Sequence, residues 1–506
     1  MEYFEKTTPE AVGMHSESVL RFLEEVEKKQ IELHSLMVIR HGKCCVSGWW
    51  APYGPEDLHP LCSFSKSITS VAIGFAEQEG LLRLDERIAD IFPEYLPEHP
   101  SQNLLNANLH HFLTMSCGHD TEIEAMGEDW IQEFLSHPFQ HEPGTFYRYN
   151  TAGTNMLAAV IKKKTGQNVT EYLRPRLLDP LGIQDIYCEC LPDKESVEIG
   201  GGGMKLRTED MARFTYFLLR RGKWEGKQLL RESWFERACR KQIETKGDAD
   251  GHVKEYACGY GYQFWMSSRP GSFRADGAFG QTGLVFPDLD MIVVTTSAAE
   301  QSHQELMALI NQYLVDSAEN DEGRKIPYPR VLEEKLAALA IPPLRGERQP
   351  KTEEQINSRI YALEDGSQEY CSSMEVLVGG VALYHVEEGR TDKMSFTFSQ
   401  DMVTWSLWEA GKKKEITGDF RRRFHIGRCG EYSYGASAGW LNEHTLQMEI
   451  RRLDAISGAK ITFRFDGGRL TLDSQDTLLP EGENIIGMRK KHTALFSQDT
   501  QISAMI

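Results

Sequence analysis

Ser63-Phe64-Ser65-Lys66 sets a hydroxyl and an amine three residues apart. In a helix, positions i and i+3 share a face, so the Lys66 amine can reach the Ser63 hydroxyl. A serine becomes a useful nucleophile only when a neighbouring base takes its proton. An amine serves as that base only when neutral, which asks for burial or nearby positive charge to lower its pKa. The same spacing recurs at Ser457-Gly458-Ala459-Lys460, but in a Ser-Gly turn between two strand patterns, where the geometry fails. A rival signature, Gly435-Ala436-Ser437-Ala438-Gly439, fits a nucleophile elbow, which needs a strand entering the turn and a helix leaving it. Its flanks, Tyr432 to Tyr434 and Trp440 to Asn442, are followed by another strand pattern, and small residues of this kind more often make a hairpin or bulge.

The surroundings favour the first motif. Glu142-Pro143-Gly144-Thr145 precedes Tyr147-Arg148-Tyr149-Asn150-Thr151 and then a helical pattern. A tyrosine delivered by a turn at a helix start is a candidate second proton carrier, because a phenolate beside an ammonium can act as a base. Further on, Ala275-Asp276-Gly277-Ala278-Phe279-Gly280-Gln281 precedes strand patterns ending in Ile292 to Thr296. A glycine there lets backbone approach a substrate, and a backbone N–H can face a developing oxyanion. Trp49, Trp50 and Tyr53 precede the nucleophile and could line an acyl or leaving-group pocket, although aromatics more often fill core. Gly200 to Gly203 lacks the Gly-Lys-Ser/Thr of a phosphate loop. His110, His111 and His119 lack metal-binding helical spacing and read as structural, and Lys162 to Lys164 reads as a cationic helix end complementing the dipole.

The chain has 506 residues, with 56 Lys and Arg against 75 Asp and Glu, for a formal net charge of −19. A nucleic-acid binder needs a basic surface to displace counterions, so this balance argues against one. Hydrophobic residues make up 40% and charged residues 26%, which excludes a largely disordered or collagen-like chain. No apolar run approaches the roughly 18–20 residues that cross a bilayer. The first residues lack a basic start followed by an apolar stretch, so a cytoplasmic protein without a membrane partner is expected. The ten cysteines are scattered with no C-x-x-C pair, which argues against a disulfide framework. Cys188-x-Cys190 has no second pair to complete the four ligands zinc needs.

The elements that must position these residues alternate helix and strand up to about residue 320. Glu17 to Gln30 has helical spacing, Ser35 to Arg40 and Cys44 to Trp49 form a hairpin, and helices are expected from Ser63 to Gly80 and from Ala152 to Lys164. Ile292 to Thr296 reads as a buried strand and Ser302 to Leu314 as a helix over it. Strand–helix–strand units do not repeat regularly, so the fold class is α+β. Residues 321–351, rich in charge and carrying Pro327, Pro329, Pro342, Pro343 and Pro350, read as a linker or wrapping segment. Residues 352–506 read as a separate antiparallel β domain, with strands at Val376 to Val386, Met394 to Phe398, Thr445 to Arg451 and Ala459 to Phe465.

In this order, the residues resemble the serine hydrolase family of class C β-lactamases, D-alanyl-D-alanine peptidases and related family VIII esterases. The resemblance covers about residues 10–315 and includes HSLMVIRHGK, HPLCSFSKSITSVAIG, GLLRLDERIADIFP, FLTMSCGHD, LRPRLLDPLGI and GGGGMKLRTEDMARF. It implies a β-lactamase-like domain, with a helical lobe against an antiparallel sheet flanked by helices. By the same resemblance Ser63 is the acylated nucleophile, Lys66 its base partner and Tyr149 the family tyrosine. The backbone amides of Ser63 and Ala278 form the oxyanion hole, and Thr151, Gly277 and Trp50 are candidate substrate-binding residues. No metal or cofactor is implied.

Two departures from the family pattern bear on the substrate. The usual Tyr-x-Asn is here Tyr149-Asn150-Thr151, and the usual cation before the third-motif glycine is missing from Ala275-Asp276-Gly277. Arg274 is adjacent, but strand neighbours point to opposite faces. Without that cation, and with Asp276 nearby, binding of a substrate carboxylate should be disfavoured. The expected function is hydrolysis of a small ester or amide through a Ser63 acyl-enzyme. The alternatives are β-lactamase or D-alanyl-peptidase activity, or an idle binding protein. Oligomeric state and the division of labour between Lys66 and Tyr149 stay open.

Overall fold

The computed structural model describes residues 3–246, 254–299, 303–319, 329–363, 391–409, 411–478 and 492–498. The chain divides into two units, Met1–Gly48 with Pro60–Ala338 and Trp49–His59 with Leu339–Ile506.

In the first unit, Val19, Phe22, Leu23 and Val26 bury one face of helix α1 (Ser16–Lys28). The chain then enters a hairpin of β1 (Leu33–Arg40) and β2 (Lys43–Trp49) through His41 and Gly42. Both turn residues have positive φ, 52° and 75°, which matches the right-handed twist of the flanking strands. Helix α2 (Ser65–Gln78) is buried all round from Ser65 to Ala76. Its short polar side chains are therefore obliged to find internal partners. Ser67 and Ser70 donate to the carbonyls of Gln263 and Tyr262, each at 2.7 Å, and Thr69 donates to that of Gly200 at 2.9 Å. The ring of Trp234 lies where a Cβ on Gly74 would stand, at 2.7 Å, so a small residue is required there.

Helix α3 (Thr151–Thr165) packs against α2. Asn150 caps its start by accepting from Gly153 N–H at 3.1 Å, and Gly166 ends it at φ 73°, as a left-handed terminator should. Helix α4 (Thr208–Leu219) lies on the sheet, whose remaining main strands are β3 (Phe273–Gly277), β4 (Gln281–Phe286) and β5 (Met291–Ser297). The order is β2-β1-β5-β4-β3, with two-residue strands, Glu5–Lys6 and Trp265–Met266, at the two edges. β5 pairs antiparallel with both β1 and β4, and β4 with β3. Helix α5 (His303–Leu309) continues through a wider turn at Ile310–Val315, and α1 packs against both.

The second unit is built from β6 (Ile360–Leu363), β7 (Thr391–Phe398), β8 (Met402–Glu409), β9 (Lys412–Asp419), β10 (His425–Cys429), β11 (Tyr432–Asn442), β12 (Thr445–Arg452), β13 (Gly458–Asp466), β14 (Arg469–Asp476) and β15 (His492–Gln498). They form one ten-stranded sheet in the order β9-β8-β7-β6-β15-β14-β13-β12-β11-β10. Asp419 on β9 also pairs with Ser437 on β11, so the sheet curls toward closure. Alternate residues point inward, and Phe396, Trp405, Met448, Ile461 and Phe463 fill a common core. The expected strand at Val376 to Val386 lies outside the described residues.

The segment expected to link the domains divides differently. Helix α6 (Pro329–Ala337) packs on α1 and belongs to the first unit. Residues from Leu339 onward belong to the second, and so does the excursion Trp49–His59. A sheet-like bridge between Ala51 and Ala340 explains the excursion, with Ala51 N–H donating to Leu339 at 3.0 Å and Ile341 N–H donating to Ala51 at 2.8 Å. Backbone pairing of this kind leaves no compositional trace.

Phe64 ties the turn before α2 to the sheet. Its ring is fully buried, sits 5.7 Å from that of Phe214 on α4, and occupies the space beside Gly283 on β4. Phe64→Ala is therefore expected to destabilise this unit by about 3–5 kcal/mol, read as a lower urea midpoint in the unit's own unfolding transition.

Candidate active site

Ser63 lies in a single tight turn, Cys62–Phe64, that runs directly into α2. Cys62 enters it at φ 49°, a left-handed conformation that costs a non-glycine residue about 1–2 kcal/mol. The turn brings the two ends of the motif together, with Lys66 Nζ 3.0 Å from Ser63 Oγ. The amine also donates to Gly201 O at 2.5 Å and to Thr151 Oγ1 at 3.2 Å. Lys66 is only 1% exposed. Burial disfavours its ammonium form and lowers its pKa to about 7, against a smaller opposing pull from Glu122.

Tyr149 completes the group. Lys66 Nζ lies 4.9 Å from its ring centroid. Burial pushes the phenol well above its ordinary value, the Ser63 side chain opposing the rise. Near neutral pH the amine can therefore exist free while the phenol keeps its proton. The ring stacks on Trp265 at 5.8 Å and meets Tyr260 edge-on at 6.3 Å, which fixes its plane.

Thr151, the departure from the usual asparagine, opens α3 and faces the amine through its hydroxyl. Asn150 is 1% exposed and serves as the helix cap, also bonding His119 Nδ1 at 3.1 Å. Asn150 is thus committed to the helix cap and to His119 rather than to the Lys66 amine.

Gly277 sits where β3 meets the nucleophile turn. A Cβ there would stand 2.2 Å from Leu61 O and 3.2 Å from Phe64 N, so only glycine permits the approach. Ala278 follows it and is exposed. The four-glycine run has a similar explanation. Cβ atoms at Gly200 and Gly201 would collide with Ala158, Thr69 and Thr151 at 2.8 Å, and it is this close approach that presents the Gly201 carbonyl to Lys66. Nothing in the sequence marks the Gly201 carbonyl as a partner of the amine.

The third-motif reading needs correction. Arg274 and Asp276, two residues apart on β3, share a face, and Arg274 Nε lies 2.5 Å from Asp276 Oδ2. Both side chains are buried, at 0% and 2% exposure. Asp276 is thus neutralised internally rather than presented as a free anion. Arg274 is also committed to the carbonyl of Met266 at 2.9 Å and lies over the ring of Tyr256. Position 275 still carries no cation. Trp50 belongs to the other unit, where it is buried.

Glu122 was not anticipated. Its Oε1 accepts from Thr151 Oγ1 at 2.7 Å and from Thr151 N at 3.2 Å. Its loop carries no motif that would have marked it. The rival serine stands mid-strand on β11, fully buried, with its hydroxyl accepting from Leu344 N–H at 3.1 Å. Ser457 bonds Asp476 at 3.1 Å while Lys460 points outward from β13. His110 and His111 bond Tyr262 and the Asn108 backbone, both structural contacts. Lys163 and Lys164 pair with Glu94 and Glu86. The described cysteines are free.

A family model described as Beta-lactamase matches residues 21–314. Among curated proteins, the chain is 23% identical over 288 residues to a 6-aminohexanoate-dimer hydrolase of Paenarthrobacter ureafaciens, covering 52% of this chain and 72% of that protein. It is 26% identical over 167 residues to a lovastatin esterase of Penicillium rubens, covering 28% and 42%. A D-aminopeptidase of Brucella anthropi is 29% identical over 147 residues, covering 28% and 27%. The match thus spans less than half the length of the last two relatives. The crystal structure of a candidate beta-lactamase from Bacteroides dorei DSM 17855 superposes with a TM-score of 0.50 at 13% identity, covering 60% of this chain and 99% of that one, which supports the fold alone. No described helix is long and apolar enough to cross a membrane.

Because burial lowers the Lys66 pKa to about 7, the free amine appears as pH rises through that value. The rate of Ser63 modification by a fluorophosphonate should climb between pH 6 and 8 along a single ionisation. Lys66→Ala should lower it by about 10²–10⁴-fold, the usual range for a lost proton-transfer group.

Proposed function

Since the chain belongs to the beta-lactamase family, we propose that it is a serine hydrolase that cleaves a small ester or amide through a Ser63 acyl-enzyme. The observation that carries this reading is the buried Lys66 amine 3.0 Å from Ser63 Oγ, with the Tyr149 ring centroid 4.9 Å from the same amine. The three relatives are named for hydrolytic activities, in keeping with it.

In the first half-reaction, Ser63 Oγ attacks the carbonyl carbon while its proton passes to the Lys66 lone pair. The carbonyl π electrons move onto oxygen, and the backbone amides of Ser63 and Ala278 are the donors proposed to receive that charge. Gly277 lets β3 come close enough for the second donor to serve. When the carbonyl re-forms, the bond to the leaving alcohol or amine breaks, and a proton held between Lys66 and Tyr149 goes to the departing atom. Water then attacks the acyl carbon, gives up a proton to the same groups, and returns Ser63 with release of the acid. The depressed amine and elevated phenol favour Lys66 as resting base and Tyr149 as resting acid.

Substrates without a carboxylate at the third-motif position are favoured, because Ala275 offers no cation and Arg274 is occupied by Asp276. The ten scattered cysteines, with no C-x-x-C pair, suit a reducing compartment, and a cytoplasmic location without nucleic-acid or membrane partners belongs to the same reading.

Fluorophosphonate labelling followed by peptide mass spectrometry tests the assignment. Ser63 should carry the adduct, Ser63→Ala should abolish it, and Ser437→Ala should leave it intact; labelling that survives Ser63→Ala overturns the site. Turnover of a short p-nitrophenyl ester should exceed that of nitrocefin, and the reverse would favour a β-lactamase.

A further inference from the structure

The Lys66 amine has three hydrogen-bonding neighbours within 3.2 Å: Ser63 Oγ, Gly201 O and Thr151 Oγ1. As an ammonium it can donate to all three. As a free base it keeps two N–H bonds and one lone pair, so it can accept the Ser63 proton only if its two hydrogens go elsewhere. Gly201 O, a carbonyl, can only accept. Thr151 Oγ1 is ambiguous, because a hydroxyl can turn its hydrogen toward the amine and occupy the lone pair.

Glu122 removes that ambiguity. Its carboxylate takes the Thr151 hydroxyl hydrogen at 2.7 Å, leaving only an oxygen lone pair facing Lys66. We propose that Glu122 is a positioning residue that, through the Thr151 hydroxyl, forces the Lys66 lone pair toward Ser63. This inference rests on the acyl-enzyme reading above. It also accounts for threonine at position 151, since a hydroxyl can accept from the amine and donate to the carboxylate through one oxygen.

The other titratable groups bearing on the amine are Cys62 in its own turn and Tyr149 across it. Asp276 and Tyr256 lie beyond Tyr149 and act on its phenol. Glu122 is the carboxylate that acts on the amine, and its charge favours the ammonium form. Removing the charge should therefore move the rise of activity with pH to lower values.

Glu122 also accepts from the Thr151 backbone N–H at 3.2 Å, a contact that by itself would only support the start of α3. Four variants separate the two roles, each checked for folding by thermal melting and assayed from pH 5 to 9 by fluorophosphonate labelling rate. Glu122→Ala should lower the high-pH plateau at least tenfold and shift the rise toward acid. Glu122→Gln, which keeps an acceptor but loses the charge, should recover a large part of the plateau while retaining the acid shift. Thr151→Val should lose the plateau as Glu122→Ala does, and Thr151→Ser should restore it. A lower melting temperature in the Glu122 variants with plateau and pH profile unchanged overturns the proposal in favour of a helix cap. Equal plateau losses in Glu122→Gln and Glu122→Ala overturn it as well. Should Glu122→Ala fail to fold, the Glu122→Gln pH profile and the Thr151 pair decide by the same criteria. Labelling that persists in Ser63→Ala marks failure of the acyl-enzyme reading itself, independently of these variants.

Discussion

Withdrawal of one amine from water is the constraint that shapes the catalytic unit. Lys66 sits on a helix that is buried on every side, and each partner within 3.2 Å is uncharged. A drop from the ordinary lysine value to about 7 corresponds to roughly 4–5 kcal/mol, a sizeable part of a typical domain's stability. The sign follows from proton counting. Between the folded and unfolded pKa values the unfolded chain binds the extra proton, so the fold is relieved of this burden as pH rises through that window. Below it the folded state holds a buried ammonium and bears the full cost. The hydroxyls of α2, the glycines at 200 and 201 and the Phe64 anchor all serve to keep the helix tightly enclosed.

The same enclosure alters the recognition side of the cleft. Arg274 and Asp276 satisfy one another inside the sheet, with Tyr256, Trp265 and His303 around them. Two opposite charges that cancel within the protein exert little pull on a solute. What remains close to Tyr149 is largely aromatic, from Tyr147, Tyr260 and Trp265.

Much of the fold was legible in the residues. The hairpin from Ser35 to Trp49, the helices after Ser63 and Thr151 and the strand from Ile292 to Thr296 stand where periodicity and terminating glycines put them. The three side chains at the centre were legible because a motif ties type to spacing: Ser63 and Lys66 by a helical turn, Tyr149 by the helix start that follows it. What escaped was set by tertiary geometry. Glu122 lies in a loop whose path nothing local dictates. The Arg274–Asp276 pairing runs from i to i+2 on one face of the strand, and no motif marks it. The role of Gly201 depends on a carbonyl, and a carbonyl's direction is invisible in composition.

The detour at residues 49–59 has its own implication for how the molecule is made. Its strand-like bridge joins Ala51 to Ala340, and Pro52 fills the space beside Gly435. These residues leave the ribosome well ahead of their partners at Ala340 and Gly435, so the β-rich unit cannot finish assembling until synthesis is far advanced. Contacts this distant in sequence slow folding because a long loop must close first. Nor can either half be liberated by a single cut. Cleavage at the boundary near residue 338 would leave Trp49–His59 on one fragment and its backbone partners at Leu339–Ile341 on the other.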